Sequence, residues 1–154
     1  MNRVAATLIA LLAVVAVGAL VFVRPTEGNI QAAPTPSHVF HGSVQIDGTD
    51  APDGTLVQAR INGTTFAVGS TSGGNYGIVD SFAVQGDDSG TPLLKEGGVP
   101  GDQIIFFVNG VQASMVLTVP NWGTVSSVEF ASGQSYTVDL SIAAAPTPTP
   151  TFTP

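Results

Sequence analysis

The side chains that could do chemistry in this sequence are loop acids, two histidines and one tryptophan. The acids form two groups, Asp47/Asp50/Asp53 and Asp87/Asp88/Glu96/Asp102. Calcium binds where several oxygen ligands converge, but neither group has the regular spacing of a calcium loop. We expect at best a weak calcium site, with the second group as its candidate ligands. The first group is expected to bond the backbone of its own turn.

The two histidines, His38 and His41, are three residues apart at the start of a predicted strand. A strand places residues at odd separations on opposite faces, so the pair is poorly placed to share a metal. The chain has no cysteine, which excludes disulfides and thiolate metal sites. We therefore expect no resident cofactor other than weakly bound calcium.

Trp122 is the only tryptophan and lies in a Pro-Asn-Trp-Gly segment after a predicted strand. An exposed aromatic ring on a loop can stack against a sugar, and a tryptophan in this position can also cover a sheet edge. Both interpretations stay open, and Trp122 is the candidate ligand-binding residue.

A catalytic constellation is absent from the sequence pattern. No Gly-x-Ser-x-Gly nucleophile motif occurs, and paired carboxylates for glycoside hydrolysis need a cleft that a small domain has little material to build. The formal charge is −7 with only four Lys and Arg residues, which excludes the basic surface that nucleic-acid binding requires. The sequence favours a protein that is not an enzyme and does not bind nucleic acid.

The N-terminus predicts export. Residues 4–23 are almost entirely apolar between Arg3 and Arg24, a length that suits a membrane-spanning helix and exceeds the usual apolar region of a cleaved signal. Residues 1–24 are therefore expected to form a hydrophobic helix that is either a signal peptide or an uncleaved signal anchor. The domain that follows is expected outside the cytoplasm, membrane-anchored or secreted.

Two segments without apolar periodicity flank the central domain. Residues 25–37 are predicted to be a linker, and residues 143–154 a disordered tail in which proline alternates with threonine. Such Pro/Thr repeats favour extended polyproline-II geometry and cannot form a packed core.

Residues 38–142 are predicted to form one all-β domain, because apolar and polar residues alternate with a period of two and no stretch has a helical period. Asn62-Gly63 and Asn109-Gly110 predict two-residue hairpin turns, whose positions both need positive φ. The apolar run 104–108 predicts a strand covered on both faces. The other predicted strands centre on 40–46, 57–61, 66–68, 76–84 (with a bulge near Asp80), 111–119 and 136–142. Seven or eight short strands predict a Greek-key β-sandwich.

Several segments in this order carry a family resemblance: Phe40-x-Gly-x-Val44, Ala51-Pro-Asp-Gly-Thr-x-Val-x-Ala59, Ser70-Thr-Ser-Gly-Gly-Asn-Tyr-Gly77 and Glu96-Gly-Gly-x-Pro-Gly-Asp102. Together they resemble the carboxypeptidase regulatory-like, or transthyretin-like (prealbumin-like), domains. The resemblance implies a seven- or eight-stranded Greek-key sandwich over nearly all of 38–142. It implies no peptidase activity, since the catalytic residues of carboxypeptidases belong to a separate domain.

Two functions of different class follow. The first is a non-enzymatic module at the cell surface with a display, adhesive or accessory role, whose partner is an unidentified protein or glycan. The second is a carbohydrate-binding module. Glycan binding that depends on Trp122 would separate them.

Overall fold

The structure, a computed structural model, describes residues 35–91 and 93–143, and these form an all-β domain without a helix. Residues 1–34 and 144–154 lie outside the described residues, so the predicted N-terminal helix, most of the linker and most of the tail are not part of this description. Within the described residues, no helix has the length and hydropathy to cross a membrane. The strands are β1 (His38–Ile46), β2 (Thr49–Asp50), β3 (Leu56–Ile61), β4 (Thr64–Ser70), β5 (Asn75–Tyr76), β6 (Phe82–Val84), β7 (Gln103–Val108), β8 (Val111–Gln112), β9 (Ser114–Val119), β10 (Gly123–Val125), β11 (Val128–Glu129) and β12 (Ser135–Ile142).

The strands form two sheets. Sheet I has the order β10-β9-β12-β1. The edge of β1 that faces away from β12 pairs in turn with β6, β5 and β2. Sheet II has the order β7-β3-β4, with β8 and β11 along the other edge of β7. The predicted all-β sandwich is confirmed. The chain is cut into more and shorter strands than the seven or eight predicted.

The core lies between the sheets and consists of the inward-facing residues of both. Along β1, buried and half-buried positions alternate from His38 to Gln45, as the period of two predicts. Four aromatic rings meet at the centre, where the Phe106 ring lies 5.2 Å from that of Phe40 and about 6 Å from those of Tyr76 and Phe82. The largest fully buried side chains also include Phe130, Ile61, Ile104, Met115 and Leu140.

The two Asn-Gly turns are confirmed. Asn62 and Gly63 have φ of 50° and 83°, and Asn109 and Gly110 have φ of 50° and 81°. Asparagine and glycine tolerate this left-handed region better than other residues, so each dipeptide fixes a tight turn and with it the register of its hairpin.

Two predicted strands differ from the structure. Residues 76–84 are not one bulged strand but two short strands, β5 and β6, joined by a loop that exposes Ile78 and Val79. Residues 111–119 are not one strand, because they change sheets at the buried Ala113, with β8 in sheet II and β9 in sheet I. Of the predicted inward residues, Ala113 and Met115 are buried, whereas Val111 and Val119 are exposed.

The prediction that residues 104–108 form a strand covered on both faces is confirmed for the inner face only. In β7, Ile104, Phe106 and Val108 are buried in the core, whereas Ile105 and Phe107 are only half-buried on the outer face. The guanidinium carbon of Arg60 lies 4.1 Å from the centroid of the Phe107 ring, so a cation covers part of that outer face.

The first and last strands are parallel neighbours. β1 pairs with β12 from Val39↔Ser135 at one end to Ile46↔Ile142 at the other. Since the strands run in the same direction, the chain enters the domain at one end of sheet I and leaves it at the opposite end. Nine residues of β1 at about 3.3 Å each separate these ends by roughly 30 Å.

Candidate functional site

The acids of the first group lie in the turn region around β2. Asp47, Asp50 and Asp53 are all exposed. The Asp53 carboxylate accepts a hydrogen bond of 2.6 Å from the backbone N–H of Gly73, which ties this turn to the one before β5. Asp47 has a φ of 52°, a conformation that aspartate tolerates in turns.

The acids of the second group shape the loop between β6 and β7, which is called the acidic loop (residues 85–102) below. Asp87 Oδ1 accepts from the backbone N–H groups of Glu96 and Gly97 at 2.7 and 3.2 Å. Asp88 Oδ1 accepts from the N–H of Gly90 at 2.8 Å. These bonds link residues two to ten positions apart, so they hold the loop in its own shape.

The other two candidates are bonded in the same loop. The Glu96 carboxylate accepts from the Thr91 hydroxyl at 2.6 Å. Asp102 Oδ2 accepts from Lys95 Nζ at 2.7 Å and from the N–H of Val99 at 2.8 Å. Burial alone would raise the pKa of Asp102, but the Lys95 ammonium and the Val99 N–H outweigh it and hold that pKa below its usual value.

The four candidate ligands are therefore each directed at donors of the acidic loop. Within residues 35–91 and 93–143, no three acidic or histidine side chains are grouped as a metal site would require. One oxygen of each carboxylate already accepts a donor of the loop, so calcium would have to use the remaining oxygens or displace those donors. Weak calcium binding stays a prediction.

The histidines point to opposite faces of β1, as their spacing predicts. His38 is fully buried in the core, whereas His41 is half-buried on the outer face with Nε2 2.9 Å from the Thr137 hydroxyl. The two rings do not share a site.

His38 is a buried titratable group in aromatic surroundings. Its ring centroid lies 4.1 Å from that of Phe40 and 4.3 Å from that of Tyr136. Nδ1 accepts a hydrogen bond of 3.0 Å from the N–H of Ala131, which places the proton on Nε2, and Nε2 is buried without a partner. Burial lowers the pKa of His38 from 6.5 to about 4, so the ring is neutral at neutral pH.

A polar cluster that the sequence did not single out lies on the outer face of sheet I. Asp139 Oδ1 accepts from both the N–H and the hydroxyl of Ser43, at 2.8 and 2.7 Å, and Oδ2 accepts from Thr118 at 3.1 Å. Burial would raise the pKa of Asp139, but these bonds, together with nearby His41, hold that pKa below its usual value. A shallow cleft of about 270 Å³ adjoins Asp139. Asp139 occupies an ordinary outward position of an alternating strand, so no local signal marks it.

A larger cleft of about 400 Å³ opens between the two sheets, beside the β9–β10 connection. Its apolar lining includes Leu117, Pro120, Phe130 and Tyr136, and its polar lining includes Asn121 and Glu129. We call it the end cleft. It adjoins a candidate residue in the sequence, because Trp122 follows Asn121 directly.

Trp122 itself is 81% exposed. Of the two interpretations of this residue, covering a sheet edge would bury much of the ring, and the structure leaves it in solvent. A large exposed aromatic side chain, next in sequence to Asn121 of the end cleft, is suited to contact a ligand.

Comparison with protein-family models, with curated proteins and with solved structures finds no match to this chain.

Proposed function

We propose that this chain holds a non-enzymatic β-sandwich module outside the cytoplasm, in a display, adhesive or accessory role. The observation that supports this most is the position of the domain's ends. Parallel pairing of β1 with β12 puts the entering and leaving segments at opposite ends of sheet I. A domain built in this way fits in line between two other segments, as a spacer or a presented unit must.

The flanking sequences agree with such a role. The apolar residues 4–23 suit export and, if uncleaved, a membrane anchor, while the Pro/Thr tail suits a stiff spacer. In this proposal the domain is of the carboxypeptidase regulatory-like kind, and the two-sheet fold agrees with that resemblance. Because one fold can serve many functions, the partner is left as an unidentified protein or glycan at the cell surface.

Localisation tests the proposal directly. Intact cells that express the full chain should lose the domain to added protease or release it to the medium, whereas a cytoplasmic control protein should remain intact. The mass of the mature N-terminus then separates a cleaved signal from an anchor. Recovery of the protein in the soluble cytoplasmic fraction, protected from protease until lysis, would overturn the proposal.

A second candidate function, carbohydrate binding, is favoured by the end cleft and Trp122. The exposed indole of Trp122 offers a stacking surface, and the end cleft, which begins at the preceding Asn121, offers an apolar wall and the polar groups of Asn121 and Glu129. These are the two kinds of contact that a sugar ring makes.

A glycan array with the purified protein tests this candidate. We expect binding that Trp122→Ala abolishes and that Val79→Ala preserves, because Val79 is comparably exposed, at 78%, but lies between β5 and β6, far in sequence from the residues that line the end cleft. Silence across the array would reject the carbohydrate-binding function and leave the display role. Equal binding by both variants would reject Trp122 as the residue that carries the binding.

A further inference from the structure

We propose that the β1–β12 pair is a mechanical clamp, which lets the domain carry tension between the segments on its two sides. The inference rests on the in-line role proposed above and adds a specific task to it. Tension enters at residue 37 and leaves at residue 143, so it acts on the two strands that are hydrogen-bonded to each other.

The direction of the two strands determines how their bonds are loaded. Tension pulls β1 towards its N-terminus and β12 towards its C-terminus, which for parallel strands means opposite directions along one common axis. The inter-strand bonds are then sheared together and must fail nearly at once. Bonds that are pulled apart at one end of a ladder fail one after another, at a lower force.

The ladder consists of two blocks of residue pairs, one towards each end of the two strands. Three residue pairs form from Val39↔Ser135 onwards and three more end at Ile46↔Ile142. The Asp47 N–H donates to the Ile142 carbonyl oxygen at 3.0 Å and closes the far end.

The near end of the ladder is closed in a similar way. The Val39 N–H donates to the Gln134 carbonyl oxygen at 2.9 Å, and the Gly133 N–H donates to that of Ser37 at 3.0 Å. Bonds at both ends protect the pairs between them from peeling.

The middle of the ladder is held by side chains. No residue pair is formed between His41↔Thr137 and Val44↔Leu140. At this gap the Ser43 N–H and hydroxyl both donate to the Asp139 carboxylate. These bonds join β1 to β12 where the backbone ladder is interrupted.

The core side of the same gap is filled by Tyr76. Its hydroxyl donates to the Val138 carbonyl oxygen at 2.9 Å and so ties β5 to β12 across β1. A Cβ on residue 42 would collide with that carbonyl group, which explains why glycine stands at this position.

Single-molecule force spectroscopy on the full-length chain tests the clamp. The natural chain has no cysteine, so paired cysteine substitutions define the points of attachment. Pro36→Cys with Ala143→Cys applies shear to β1 and β12. Thr49→Cys with Ala143→Cys applies the force at one end of the same pair, because Thr49 pairs with Ile46 and Ile46 with Ile142. All three sites lie at exposed positions.

We expect the first pair of attachments to give a several-fold higher unfolding force than the second, from the same folded domain. Equal forces in the two geometries would overturn the proposal. This result is independent of localisation, so a failed clamp and a failed extracytoplasmic role are distinguished.

A matched pair of variants tests the role of Asp139. Asp139→Ala should lower the unfolding force in the shear geometry much more than Val57→Ala, which removes a buried side chain from sheet II away from the clamp. Asp139→Asn, which keeps an acceptor oxygen, should lie between Asp139→Ala and the natural chain. An equal loss of force in Asp139→Ala and Val57→Ala, or no loss in Asp139→Ala, would overturn the assignment of Asp139 to the clamp.

Discussion

Aspartates organise two regions of this domain with very different consequences. In the acidic loop, Asp87 bonds to Glu96, nine positions away, at an exposed site. In sheet I, Asp139 bonds to Ser43, 96 positions away, in a half-buried gap between the first and last strands. The chemistry is the same, a carboxylate that accepts N–H and O–H donors. The difference is that the loop bonds shape a local segment, whereas the Asp139 bonds help to close the fold.

The largest effect on the free energy of unfolding is expected in the core between the two sheets. Phe106→Ala should lower the free energy of unfolding by about 3–5 kcal/mol, because it leaves a cavity among three aromatic rings. Gln45→Ala, on the outer face of β1, should change it by less than about 0.5 kcal/mol. Denaturant unfolding of both variants checks this. If Phe106→Ala costs less than 1 kcal/mol, which is roughly the average effect of a point mutation, the ring cluster is not what stabilises the sandwich.

The second effect is a dependence of stability on pH that comes from His38. The His38 pKa is about 4 in the folded protein, against 6.5 for an unperturbed histidine, so only the unfolded chain takes up this proton between those two pH values. The contribution of His38 to the free energy of unfolding should therefore be constant above pH 6.5. It should fall by about 3 kcal/mol as the pH is lowered to about 4.

The Asp102 and Asp139 pKa values are lowered, so their stabilising contributions are lost only at still lower pH.

His38→Asn keeps an acceptor for the Ala131 N–H but does not titrate. Its free energy of unfolding should be nearly independent of pH from 6.5 to 4.5. An unchanged slope in this variant would assign the pH dependence to other groups.

The third effect compares the two regions directly. Asp139→Ala should cost about 1.5–3 kcal/mol, since hydrogen bonds to a charged group are lost and the Ser43 N–H is left without its acceptor. Asp88→Ala removes one acceptor within a loop turn and should cost less than about 0.5 kcal/mol. Thermal or denaturant unfolding of the pair gives the comparison. Similar losses in the free energy of unfolding would mean that sequence separation and burial do not determine how much these bonds stabilise the fold.

The smallest effect is expected from calcium. Its binding to the native state would raise stability by RT ln(1 + [L]/Kd), about 2.7 kcal/mol at a hundredfold excess over Kd. Because the acids of the acidic loop are already bonded to that loop, we expect melts in millimolar calcium and in chelator to agree. A large shift that Asp87→Asn abolishes and Asp50→Asn preserves would instead locate a calcium site in the acidic loop.

Local signals account for the part of the fold that could be predicted. The period of two located most strands, and the two Asn-Gly dipeptides located their hairpins, because both signals depend only on neighbouring residues. The split of 76–84 into β5 and β6 was missed because Ile78 and Val79 are apolar but exposed, which an alternating pattern reads as a strand.

The candidate site was harder to predict because its contacts are long-range. Density of acids in the sequence drew attention to the acidic loop, where the carboxylates bond their own loop. Asp139 stands alone in its strand, and only the parallel pairing of β1 with β12 brings it to Ser43. The end cleft likewise combines residues of β9, β11 and β12, whose proximity no local pattern indicates.

The edge of β1 that faces away from β12 is covered by three separate strands of only two or three residues each, β6, β5 and β2. A long unpaired strand edge is a template on which another chain can add a strand and begin to aggregate. On this side of sheet I the template is broken into short pieces interrupted by loops. Strand addition by a second copy through this edge is therefore disfavoured.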